Sequence, residues 1–157
     1  MARDLRLLSL IPAGLTVEST AEDERVIVVS ARARAQERAC PLCERNSSRV
    51  HSSYISTASD LPCAGKKVEL RLVARRFVCS TAFCRRQIFA ERFDEAVLAE
   101  RSRRTSRLEC IVHHLGLALG GRPAANFAKR LMVPVSNDTL LRVVRRRAFF
   151  RTDQTSL

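Results

Sequence analysis

Two pairs of cysteines constrain this chain more than any other feature. CPLC at 40–43 and CSTAFC at 79–84 each carry two thiols on a short loop, with residues 44–78 between them. A short cysteine loop aims both of its sulfurs at one point. Cys40, Cys43, Cys79 and Cys84 can therefore surround one Zn²⁺ tetrahedrally, with strands behind each loop holding the pairs rigid. That arrangement is a zinc ribbon, in which metal binding and folding are coupled. The spacing leaves other readings open. C-x4-C is looser than a second C-x2-C and 35 intervening residues is a long interval, so four unrelated buried thiols also fit the count. A redox dithiol at Cys40 and Cys43 fits less well, because no βαβ pattern surrounds the pair. Cys63 and Cys110 have no neighbour at ligand spacing and read as small packing residues. His51 reads as a surface residue, and His113 and His114, adjacent on a helix, point to different faces and are poorly placed to share a metal.

The rest of the chain divides into two patterns. In 66–74, KKVELRLVA alternates Val68, Leu70, Leu72 and Ala74 against Lys67, Glu69, Arg71 and Val73, the period of a half-buried strand. ERVIVVSA at 24–31 is a second, β-branched strand after the turn-like AEDE, and QIFAERF at 87–93 is placed to return antiparallel to RRFVC. From about residue 96 the spacing becomes helical. Leu108, Ile111, Val112, Leu115 and Leu119 form one face, Ala124, Phe127, Ala128 and Leu131 a second, and Leu140, Leu141, Val144 and Ala148 a third. Gly120-Gly121 and Pro134 punctuate three short helices. With no tryptophan, 5% aromatics and 46% hydrophobic residues, two modest cores are expected, with the seven Phe mostly at core positions.

Charge follows the same division. The net +12 is concentrated in residues 101–151, where twelve basic residues face two acids, Glu109 and Asp138, whereas the remainder holds sixteen basic and fourteen acidic residues. A bounded basic segment is the footprint of a polyanion partner; a solvated arginine-rich helix surface is the plainer reading. Residues 120–148 have the outline of a helix-turn-helix, with Ser136 as N-cap of the second helix and Leu140, Leu141 and Val144 turned inward. On that reading Asp138, Arg142 and Arg145 share the outward stripe, flanked by Asn137 and Arg146. Asn137 and Arg142 are the expected base readers, while Arg146, Arg147, Lys129, Arg130, Arg103 and Arg104 are expected on phosphates. A plain three-helix bundle with a charged exterior is the alternative.

The opening MARDLRLLSLIPAGLTVESTA does not read as a signal sequence. Asp4 interrupts the basic region, Pro12 and Gly14 break the apolar run, and the run is too short to span a bilayer. A cytoplasmic location with reduced thiols is expected.

Taken in order, CPLC, RVH, DLPCAG, RRFVC and IFAERF resemble the zinc-finger segment that opens the ISL-three group of bacterial insertion-sequence transposases. The likeness continues through LGLALGG (115–121), AKRLMVPVS (128–136) and DTLLR (138–142), covering about residues 12–147. The resemblance implies Cys40, Cys43, Cys79 and Cys84 as structural zinc ligands and the helices after 104 as binder of the element's terminal repeats. It also implies a long nuclease domain with three acidic residues, and residues 1–157 carry no acidic pair matching that role, so no strand-transfer activity is expected. Cys63 departs from the family's usual residue at its position, and FFRTDQTSL does not resemble the family's continuation.

The expected fold is thus α+β, a small β-rich zinc ribbon followed by a three-helix helix-turn-helix domain. Its parts are an N-terminal β segment packing on the ribbon (1–39), the ribbon (40–93), a linker (94–103), the helical domain (104–148) and a tail (149–157). The expected function is a sequence-specific, non-catalytic DNA-binding module of a transposase that recognises terminal inverted repeats. Its partners would be double-stranded DNA and a full-length transposase or a second copy, with no membrane. The alternative is an independent zinc-ribbon transcriptional regulator or RNA-associated protein, against which the core-like placement of the aromatics weighs.

Overall fold

The computed structural model describes residues 11–133 and 135–152, with side chains through 146. Of the expected features, Pro134, the Arg147 and Ala148 side chains, residues 1–10 and most of the tail lie outside the described residues. Among the described residues seven strands and three helices follow in order: β1 (Leu15–Glu22), β2 (Val26–Ala33), β3 (Arg38–Ala39), β4 (Asn46–Ser47), β5 (Val50–Cys63), β6 (Lys66–Val78), β7 (Ile88–Ala90), α1 (Ser106–Leu119), α2 (Gly121–Arg130) and α3 (Asn137–Thr152).

The main sheet runs β1-β2-β6-β5, with β7 on the far end of β6. β2 lies parallel to β6 and every other pair is antiparallel. The alternation read in 66–74 is the organising pattern: Leu70, Leu72 and Ala74 are buried on one face, and Leu70 and Leu72 pack with Leu15, Val29, Ala31 and Ala58. Phe77, an odd number of residues further on, points to the other face and starts a separate cluster with Phe89 and Cys40. β5 and β6 close through Ala64 and Gly65, at φ 50° and 76°, a turn whose positive φ values match strand twist. This hairpin accounts for the long interval between the cysteine pairs, because most of residues 44–78 runs out along the sheet and back.

Residues 94–103 are packed rather than extended: Val97 and Leu98 are buried in the sheet's cluster, and Asp94 holds their turn by accepting from the N–H groups of Ala96, Val97 and Leu98. Two backbone hydrogen bonds between Ser59 and the Arg103–Thr105 stretch then join β5 to the start of the helices. Beside them the buried carboxylate of Asp60 accepts from the Thr105 hydroxyl at 2.6 Å and the Arg107 Nε at 2.8 Å, while Arg107 Nη2 reaches its other oxygen. Thr105 also caps α1 through its contact with the Leu108 N–H.

The helices pack around Leu108, Val112, Ala124, Ala128, Val133, Leu140 and Val143. Gly120, at φ 72°, ends α1 where the Gly-Gly break was read. Gly116 sits so close to α3 that an added Cβ would lie 2.6 Å from Val144 Cγ2. The inward face of α3 is Leu140 with Val143, not Leu140 with Leu141: Leu141 is 37% exposed, because two residues adjacent on a helix turn 100° apart and the core admits one. The aromatics also depart from expectation. Phe77 and Phe89 are buried, but Phe127 is 45% and Phe83 98% exposed, since the alanines of α2 take the core positions and Phe83 rides the tip of a cysteine loop.

Candidate metal centre and basic helical surface

Each cysteine pair sits at the tip of a strand pair. β3 and β4 pair Arg38 with Ser47 and Ala39 with Asn46, and between them the Cys40 carbonyl accepts from the Glu44 N–H while the Cys40 N–H donates to the Arg45 carbonyl. Glu44 takes φ 57° to close this turn. On the other side β6 and β7 are paired through Val78 and Ile88, and the Cys79 N–H donates to the Gln87 carbonyl at 2.8 Å. The two tips are tied by the Ser47 hydroxyl, which donates to the Val78 carbonyl at 2.6 Å. Phe77 and Phe89 stack beneath them with centroids 5.8 Å apart.

The result is a convergence of sulfur. Cys40 and Cys84 Sγ are 3.8 Å apart, Cys43 and Cys79 Sγ 3.5 Å, and the four Sγ atoms all lie within 4.8 Å of one another. A tetrahedral zinc with Zn–S bonds of about 2.3 Å needs S···S separations of about 3.8 Å, so the thiols already stand at metal-binding spacing. Their protonation is uneven. The Thr81 hydroxyl, then the Arg45 N–H, brings the Cys43 thiol down to about 6, and the Cys43 N–H, donating to the Cys40 sulfur, lowers Cys40. Cys84 is pushed up to about 12: the Arg86 N–H favours its thiolate, but desolvation and the other three sulfurs outweigh it. A site that favours the thiolate at Cys40 and Cys43 and disfavours it at Cys84 is suited to a divalent cation, which displaces thiol protons and binds all four sulfurs. The four thiols suit a structural zinc ion.

The remaining thiols and His51 stand apart. His51 is exposed, with its ring against the Ser52 hydroxyl. Cys63 ends β5, and Cys110 Sγ lies 3.6 Å from His114 Nδ1.

The expected DNA-contacting residues are distributed over the helical unit. Arg142, Arg145 and Arg146 are exposed along α3, Lys129 and Arg130 at the end of α2, and Arg103 before α1. Ser136 does cap α3, accepting from the Thr139 N–H at 3.2 Å. Asn137 lies against α2, where a Cβ on Gly121 would meet its Oδ1 at 1.9 Å, and its amide donates to Asp138 at 3.4 Å. Arg104 and Arg146 both pair with Glu109, Arg104 Nε at 2.7 Å. Sequence reasoning missed this buried carboxylate, along with Asp60 and Glu91, the last held by Arg75 at 2.7 Å and Arg38 at 3.2 Å. Their partners lie up to 53 positions away, so no local pattern announces them.

Residues 36–84, which contain all four clustered cysteines, match the family model for the zinc-finger of transposase IS204/IS1001/IS1096/IS1165. The matched segment is thus similar to the zinc ribbon of ISL-three-type transposases. Comparison with curated proteins and with solved structures gives no match. Among the described residues no helix is long and apolar enough to cross a membrane.

Proposed function

We propose that the chain is a sequence-specific DNA-binding module of an ISL-three-type transposase, in which the zinc ribbon supports α2 and α3 as a helix-turn-helix that recognises the element's terminal inverted repeats. One observation carries the reading: a transposase zinc ribbon is followed, in the same chain, by a three-helix unit whose exposed charge is strongly basic. The bound metal would clip the β3–β4 and β6–β7 tips together. β6 then holds β5 in register, and Asp60 on β5 fixes the start of α1. We propose DNA binding, and not strand transfer, as the role of residues 1–157. Such a module would occupy repeat ends alone, as a pair, or with a full-length transposase. Co-expression with a full-length relative would then lower transposition frequency.

The direct test is a titration of zinc-loaded protein against the element's end duplex, a random duplex and RNA. The expected result is preference for the end duplex of roughly 10³-fold or more over the random one. Equal affinity for both duplexes would remove sequence specificity. Preference for RNA would favour the second reading, an RNA-associated or regulatory ribbon protein, for which the exposed Phe83 offers a stacking surface.

A further inference from the structure

The segment before α1 and one stripe of α3 enclose a cleft of about 280 Å³ whose lining includes Arg142, one of the two expected base readers. Arg101, Arg103 and Arg104 line one wall; Thr139, Arg142 and Arg146, at helical spacing on α3, line the other. Glu109, also in the lining, is the one carboxylate there, and it is already shared by Arg104 and Arg146. Five guanidinium groups against one carboxylate leave four positive charges around one concavity. Arg101 finds little relief outside it, because its nearest acid, Glu100, is 4.0 Å away and pairs with Arg92 at 3.2 Å.

The wall is also shaped rather than loose. Arg101 adopts φ 60°, which is costly for a residue with a side chain. The Ser102 hydroxyl donates to the Arg104 carbonyl at 2.7 Å and accepts from the Arg104 N–H at 3.2 Å. Ser59 and Thr105 anchor the same stretch to β5. Guanidinium groups carried on a fixed backbone suit the oxygen atoms of a phosphodiester, which they bind through paired N–H groups.

We propose that this cleft seats the sugar–phosphate backbone of duplex DNA, with Arg101 and Arg142 as its phosphate contacts and Glu109 as the residue that positions Arg104 and Arg146. The inference rests on the DNA-binding reading. It moves Arg142 from base reading to backbone binding and leaves the neighbouring stripe of Asp138, Leu141 and Arg145 as the face outside the cleft.

Fluorescence-anisotropy titration of the zinc-loaded full chain with a random duplex, over a salt series, tests it. Arg142→Ala and Arg101→Ala should each lower the slope of log affinity against log salt by about one unit. Each variant's deficit relative to the parent would shrink by roughly threefold between about 50 and 200 mM salt. Both should weaken random and end duplexes alike, Arg142→Lys should keep the slope, and Arg32→Ala, distant on β2, should match the parent. Circular dichroism and zinc content verify that each variant is folded. Unchanged slopes in both alanine variants, with the parent still binding DNA, would overturn the cleft while leaving the DNA reading intact. A loss confined to the end duplex would also overturn it, returning Arg142 to the bases. A parent that binds no duplex would overturn the DNA reading itself.

Discussion

The ribbon tip and the helical unit are held together in different ways. At the tip the buried apolar cluster is Cys40, Phe77 and Phe89, with the other three clustered cysteines packed on it. The helices share seven buried apolar residues with further partly buried ones around them. The tip cannot bury enough surface to order two loops by itself, so it depends on the metal. The helical unit has an ordinary core. The helical unit is joined to the main sheet, at the end of β5 away from the tip, not by apolar packing alone but by a buried carboxylate, Asp60, whose partners lie on the helical side.

Removing the metal should have the largest effect. Binding to a structural Cys₄ site is linked to folding by about 10–16 kcal/mol, so chelation, or Cys79→Ser, should abolish dispersed amide NMR signals from residues 36–48 and 79–90. Signals from the α1–α3 core should survive. Loss of both sets together would show that the two regions fold as one. Next comes Asp60→Ala, which removes the carboxylate paired with Arg107 and the acceptor of the Thr105 hydroxyl. A loss of about 3–5 kcal/mol is expected in chemical denaturation, with one zinc per chain still bound. Leu140→Ala should cost about 2–5 kcal/mol by opening a cavity among the helices. It should lower the helical melting transition without changing zinc content, the reverse of the cysteine variant.

The smallest effect is a pH dependence at the β1–β2 turn. Asp23 accepts from the Arg25 and Val26 N–H groups at 2.7 and 2.8 Å, and these bonds, Arg25 first, lower its pKa from the ordinary 3.8. A depressed folded-state pKa contributes stability that is present above 3.8 and is lost as pH falls through the folded value. Asp23→Asn should therefore remove the small increment that the charged carboxylate contributes at neutral pH and so flatten the acid limb of the stability profile slightly. A steeper acid limb in the variant would contradict the turn geometry.

The thiol cluster was legible because cysteine spacing encodes a local loop geometry and the pairs had few competing partners. β6 and the three helices were legible because burial writes a period of two or of 3.6 into the sequence. β5 was not, since VHSSYISTASDLPC has Ser and Thr along most of its length and its pairing with β6 is satisfied by backbone. β1, reading LTVESTAE, was hidden in the same way, its outer half being exposed. The choice between Leu141 and Val143 for the core of α3 depended on which helices it meets, which its own sequence does not state. The carboxylates that organise the helical side, Asp60 and Glu109, were visible only as acids in a basic chain.

The most direct measurement is X-ray absorption at the zinc edge on the purified full chain, with metal quantified in the same sample. Four sulfur scatterers at about 2.3 Å and one zinc per chain are expected. A nitrogen or oxygen ligand in the first coordination shell, or a folded protein without zinc, would contradict the four-thiol centre on which the ribbon depends.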